Sequence, residues 1–173
     1  MVNAMEPGKV IVLNGTSSSG KSTLARSLQR ALDDIYLHCS LDMFWHMTPE
    51  SVPANSINFP KLKLALGHSV SALATTGHNV IVDIVHSGLQ SHQELSAALD
   101  GIETLTVKVD CSLKELEIRE LERGDRRLGL AKSQYDAVHQ GIAYDLEIDT
   151  SQLTPAECVS TIIQKLETVN PTN

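Results

Sequence analysis

The stretch LNGTSSSGKST, Leu13 to Thr23, places three serines and a threonine between two glycines and follows the second glycine with a lysine. It fits Gly-x-x-x-x-Gly-Lys-Ser from Gly15 to Ser22. A loop of this composition turns successive backbone N–H groups inward as an anion cradle. A helix starting at its end adds the partial positive charge of its N-terminus. The pattern nominates Gly15, Thr16, Ser17, Ser18, Ser19, Gly20, Lys21, Ser22 and Thr23 as a nucleotide-phosphate site. Lys21 reaches the β- and γ-phosphates, and the Ser22 hydroxyl is placed to ligate Mg²⁺. The flanks decide between this and an ordinary polar turn. KVIVLN, Lys9 to Asn14, is a β-branched run typical of a buried strand. Leu24, Leu28 and Leu32 recur every four residues, as on one face of a helix.

Two carboxylates stand where further chemistry is expected. Asp42 follows the strand-like IYLHCS, Ile35 to Ser40, and Asp83 interrupts the apolar run NVIVDIV, Asn79 to Val85. An unpaired buried carboxylate is costly, so Asp83 needs a hydrated Mg²⁺, a hydroxyl or Lys21 as partner, or it is a plain structural ion pair. Asp42 is a candidate base or a cap. The segment Met43 to Phe59 is long for a connection and carries Phe44, Trp45, Met47 and Phe59. Long connections are usually functional or disordered. Phe44 and Trp45 therefore read either as an apolar substrate wall or as core. Arg119, Arg123, Arg126 and Arg127 cluster in IRELERGDRRLG, Ile118 to Gly129. With Gly124 and Gly129 in the stretch, it reads as a movable lid whose arginines stabilise a transferring phosphate. Glu120, Glu122 and Asp125 also allow surface ion pairs of little energy.

The elements that must position these residues alternate between strand and helix. A helical stripe of Leu62, Leu66, Val70 and Leu73 ends at Gly77, and a further helix covers about 90–99. TLTVKVD, Thr104 to Asp110, is a fourth strand, followed by the capping pair Ser112 and Glu115. YDLEIDT, Tyr144 to Thr150, is a fifth strand, and Thr154, Pro155 and Glu157 open the last helix. Such repeated units imply an α/β fold, a parallel sheet with helices on both faces. Ligands bind at the C-terminal strand ends of such sheets. Asp42 and Asp83 belong to that edge, with the phosphate loop.

Bulk composition is consistent with one domain over 173 residues. The net charge of −7 argues against a nucleic-acid partner. No apolar run reaches the length of a membrane span. The N-terminal residues lack the pattern of a secretory signal, and Cys39, Cys111 and Cys158 lack metal spacing. A cytoplasmic location with free thiols is expected.

Together IVLNGTSSSGKSTLARSLQ, the Asp42 turn, VIVDIV, ERGDRRLG and YDLEIDTSQLTPAECV resemble the chloramphenicol phosphotransferase-like proteins, over about Val10 to Ile163. These are P-loop kinases of the nucleoside-monophosphate-kinase type. The resemblance implies a P-loop kinase three-layer sandwich with a five-stranded parallel sheet of order 2-3-1-4-5 and a short lid, about 119–133. It implies ATP and Mg²⁺ as cofactors and a small-molecule acceptor phosphorylated on a hydroxyl, chloramphenicol or a related compound. Asp42 maps to the family's general base, and Arg123 and Arg126 to its lid arginines. Arg127 has no clear match. Ile84 stands where the antibiotic kinase carries a second acid, His86 differs from it too, and 43–59 matches poorly. A nucleoside or sugar kinase, and a non-catalytic nucleotide-binding switch, are the competing readings. Neither a membrane nor a nucleic acid is expected as partner.

Overall fold

The computed structural model describes residues 6–124 and 127–169. β1, Val10–Asn14, is buried at every position, so both its faces need cover. Parallel partners flank it, β3 (Asn79–Ile84) on one side and β4 (Thr104–Asp110) on the other. β2, Tyr36–Ser40, pairs with β3, and β5, Leu146–Asp149, pairs with β4. The sheet order is β2-β3-β1-β4-β5, all parallel. This is the arrangement the family resemblance implied.

Strand alternation sorts side chains between two helical layers. Ile11, Leu13, Ile81, Val107 and Val109 pack with α1 (Lys21–Ala31) and α7 (Pro155–Val169). Val10, Val12, Val80, Val82 and Ile84 pack on the other face with Leu66 and Val70 of α3 (Phe59–Thr75) and Leu95 of α4 (Leu89–Ala98). Each fully buried leucine, such as Leu28 or Leu66, contributes roughly 1.5–3 kcal/mol of transfer free energy. β4 differs from β1 in alternating between buried and half-buried positions. Thr104, Thr106 and Lys108 are half-buried, alternating with buried Leu105, Val107 and Val109. Lys108 meets Asp110 and Glu147 there, each at 3.2 Å.

The chain between the strands holds more helix than its sequence suggests. α2, Leu41–Trp45, starts directly after β2, with the Ser40 hydroxyl accepting from Met43 N–H at 3.4 Å. A single 3-10 turn follows at Ala54–Ser56. α3 begins one turn before the Leu62 stripe, because Asn58 caps it and Pro60 sits in its first turn. α5, Leu113–Arg123, carries the Ser112 cap and ends at Gly124, whose φ of 66° is left-handed. α6, Leu130–Tyr135, is a short helix that no periodicity announced. Cys39, Cys111 and Cys158 are buried and free. Among the described residues no helix is long and apolar enough to cross a membrane.

Register brings the C-terminal ends of the strands to one edge. Asn14 lies beside Ile84 and Lys108, Ser40 beside Asp83, and Asp110 beside Asp149.

Candidate active site

The loop between β1 and α1 is held in a shape that few residues tolerate. Gly20 has φ 92° and Ser18 has φ 64°, both left-handed. A Cβ on Gly15 would stand 2.3 Å from the Val109 carbonyl oxygen, so β4 admits only glycine there. Lys21 is buried, and its Nζ donates to the Thr16 carbonyl at 2.7 Å. The Ser17 N–H donates to Gln134 Oε1 of α6 at 2.8 Å. The Thr150 hydroxyl, just past β5, donates to the Ser19 carbonyl at 2.9 Å.

Asp83 sits under this loop on the α1 side of the sheet. The Ser22 hydroxyl donates to its Oδ2 at 2.5 Å, Lys21 Nζ lies 3.9 Å from Oδ1, and His38 Nε2 lies 3.8 Å from Oδ2. Burial pushes the Asp83 carboxyl up, but the Lys21 charge, the nearby His38 ring and the hydrogen bond from Ser22 outweigh it. The net shift is downward, so the group is an anion at neutral pH. Of the partners that its sequence position demanded, the structure supplies the hydroxyl and the lysine.

Magnesium fits here in a specific sense. Among the described residues no three His, Cys, Asp or Glu side chains converge on a cage. Mg²⁺ keeps several waters and needs one or two protein oxygens beside substrate phosphates. A hydroxyl and an ionised carboxylate in contact, beside an anion cradle, match that donor set.

A cleft of about 1440 Å³ opens over this edge and is lined by the phosphate loop, Asp83, Asp42, Trp45, Lys63 and Arg123 among others. Asp42 lies in the first turn of α2 and is half-buried. The structure therefore brings Asp42, Asp83, Lys21 and Ser22 to one cleft. Trp45 lines it, with the Phe59 ring edge-on at 6.1 Å. Phe44 is a correction to the expected substrate wall. It packs against the core cluster of Leu66 and Val82 and is absent from the cleft lining, because α2 turns neighbouring side chains to different faces.

The arginine cluster divides by its contacts. Arg119 is a structural pin: Nη1 and Nη2 donate to Thr150 Oγ1 and O at 3.1 and 2.8 Å, and Nε to Glu115 at 2.9 Å. Arg119, Arg123 and Arg127 all line the cleft. Arg126 lies outside the described residues. Glu120 is no surface ion pair. It is 2% exposed and accepts from the Gly129 and Ala131 N–H groups at 2.6 and 3.0 Å, tying α6 to α5.

Sequence reading missed three further residues. Asn14 closes β1 and joins distant segments: its amide donates to Val138 O at 2.9 Å and Tyr144 Oη at 2.6 Å, and its Oδ1 accepts from His86 N–H at 2.9 Å. An asparagine ending a buried strand was the available signal. Gln134 and Lys63 gave none, since both depend on chain segments far away in sequence.

Comparison with known proteins decides the family. The profile described as chloramphenicol phosphotransferase-like protein matches residues 8–167. The chain belongs to this family. Two Mycobacterium tuberculosis proteins, provisionally named O-phosphotransferases, are each 32% identical to it over 174 residues, covering 85% of this chain and 77% of theirs. Among solved structures, the Mycobacterium tuberculosis APS kinase in complex with AMPPNP and APS superposes with a TM-score of 0.75. It shares 21% identity and covers 93% of this chain and 98% of its own. Shikimate kinase from Aquifex aeolicus gives 0.60 at 19% identity, over 95% and 99%. These likenesses establish a P-loop kinase fold for this chloramphenicol phosphotransferase-like chain.

Proposed function

We propose that this chain, as a single domain, transfers the γ-phosphoryl group of ATP to a hydroxyl of a small molecule. The observation that carries the reading is the convergence of the phosphate loop, the Ser22–Asp83 pair and Asp42 in one cleft. Family membership supports it. The loop N–H groups and Lys21 bind the β- and γ-phosphates, and Ser22 with Asp83 would hold Mg²⁺. Bound there, the ion would supply positive charge to offset that of the transferring phosphate. The base end of the nucleotide would lie beside Leu153 and Pro155, which also line the cleft.

Asp42 orients the acceptor hydroxyl and accepts its proton as the new O–P bond forms and the bond to the β-phosphate oxygen breaks, releasing ADP. Trp45 borders the acceptor. The segment 119–133 acts as a lid, bringing Arg123 and Arg126 onto the moving phosphate. A purely regulatory nucleotide switch would need neither an acid nor an apolar wall in this place.

The test is a panel of hydroxylated small molecules, chloramphenicol included, incubated with ATP and Mg²⁺ and read by mass spectrometry for a gain of one phosphate. Phosphorylation by the wild type, lost in Asp42→Asn while ATP still binds, is the expected result. ATP binding with no transfer to any acceptor would favour the switch.

A further inference from the structure

Lys63 lies on α3 and lines the cleft on the side of Trp45, and its Nζ donates to Ser87 Oγ at 2.6 Å. Among the described residues no carboxylate forms an ion pair with it. Glu94 of α4 acts on it only through its field, while burial pushes the ammonium's pKa down. A lysine has three donors, and one neutral hydroxyl uses one of them. An ammonium partly withdrawn from water and met by a hydroxyl is a poor way to stabilise a fold and a good way to receive an anion.

The surroundings set the scale of that anion's carrier. Ser87 stands three residues past the end of β3, and so within about 10 Å of the strand end that holds Asp83. Trp45 and Phe59 supply an apolar wall in the same cleft. Neighbouring His86 is buried and held neutral, its pKa pushed down to about 3 by burial and by His92, Lys63 and His139. The cleft also holds Asp42 and Asp83, which would repel an anionic acceptor unless a cation met it.

We propose that Lys63 and Ser87 bind an anionic oxygen group, a carboxylate or a phosphate monoester, on the acceptor, apart from the hydroxyl that is phosphorylated. This rests on the phosphotransferase reading above and narrows its substrate to compact hydroxy compounds with an apolar body and one acidic substituent. A neutral antibiotic would leave the Lys63 contact unused.

The test titrates two matched pairs by calorimetry, with and without AMPPNP and Mg²⁺: para-hydroxymethylbenzoate against its carboxamide, and para-hydroxymethylphenyl phosphate against the corresponding methyl ether. The anionic member of at least one pair is expected to bind about 10–100-fold tighter, the span of a charge-assisted hydrogen bond. The pair showing the gap distinguishes carboxylate from phosphate. Lys63→Gln is expected to remove the gap and Lys63→Arg to restore part of it, with melting temperatures confirming that both fold. Equal affinities within both pairs, binding by none of the four compounds, or a gap that survives in Lys63→Gln would overturn the proposal. If Lys63→Gln weakened neutral and anionic members alike, the lysine would only balance the carboxylates, and the proposal would fall. Failure of AMPPNP to bind would count instead against the nucleotide reading, while the titrations without it still judge Lys63.

Discussion

The Ser22 hydroxyl donates to Asp83 Oδ2 at 2.5 Å across 61 positions of sequence, with Lys21 Nζ 3.9 Å from the same carboxylate. One helix N-terminus and one strand end are thereby joined at the phosphate loop. The carboxamide of Asp83→Asn keeps the shape of this contact and removes the charge. Mutating groups that hold or orient a metal typically costs about 10–100-fold in metal affinity or activity. The Mg²⁺ concentration for half-maximal transfer should rise by that order in Asp83→Asn. An unchanged Mg²⁺ titration would limit Asp83 to holding Lys21.

Acidification should loosen the fold through His86. Its pKa falls from 6.5 to about 3 on folding, chiefly through burial. The unfolded chain thus binds a proton that the folded chain refuses between those values. Stability is fully present above pH 6.5 and is lost as pH falls toward 3, by a total of about 5 kcal/mol for this group. His92 and His139, also lowered by burial, act in the same direction. Asp83, with its depressed pKa, adds a further loss below about pH 4. Denaturation midpoints measured from pH 7 to pH 4 should decline more steeply in the wild type than in His86→Gln. Parallel slopes would contradict this.

Glu120→Ala should release the short helix α6. The Gly129 and Ala131 N–H groups lose their acceptor, at a cost of about 2–4 kcal/mol for the pair. Amide exchange at 129–131 should accelerate well beyond exchange in the β1 core. Glu120→Gln, which keeps an acceptor oxygen, should lie in between. Wild-type exchange rates in Glu120→Ala would remove this side chain from any part in ordering residues 129–131.

Arg119 and Arg123 sit four residues apart on α5 and should fail differently. Both line the cleft, but Arg123 ends α5 beside Gly124, so Arg123→Ala should lower kcat by at least about tenfold with a smaller effect on nucleotide affinity. Arg119 pins Thr150 and, through it, the Ser19 carbonyl. Arg119→Ala should lower the melting temperature and weaken nucleotide binding together. A kcat effect confined to Arg119→Ala would reverse the two assignments.

These particulars show where sequence alone sufficed. Local patterns carry β1, the glycine loop, α1 and the capped start of α7, because each depends on neighbours within a few residues. Thr154 and Glu157 meet as their spacing required, with Glu157 Oε2 accepting from the Thr154 N–H and hydroxyl at 2.8 and 2.7 Å. Strand order came from the family resemblance, since hydropathy cannot rank parallel strands. Glu120 and Gln134 were illegible for another reason. Their partners are backbone groups of segments that only the folded chain brings near, 9 and 117 positions away. Phe44 and Trp45 are adjacent and chemically alike, so only the direction of α2 could assign one to the core and one to the cleft.

The central claim is phosphoryl transfer at the glycine loop, and Lys21→Met tests it most directly. Wild-type protein and the variant are given γ-labelled ATP, Mg²⁺ and the acceptor found in the panel, and the label reaching the acceptor hydroxyl is followed with time. Removing one preorganised charge from a developing phosphate typically costs about 10²–10³ in rate. The account predicts a loss of that size in a variant that remains folded by circular dichroism. Transfer at the wild-type rate by folded Lys21→Met would contradict it.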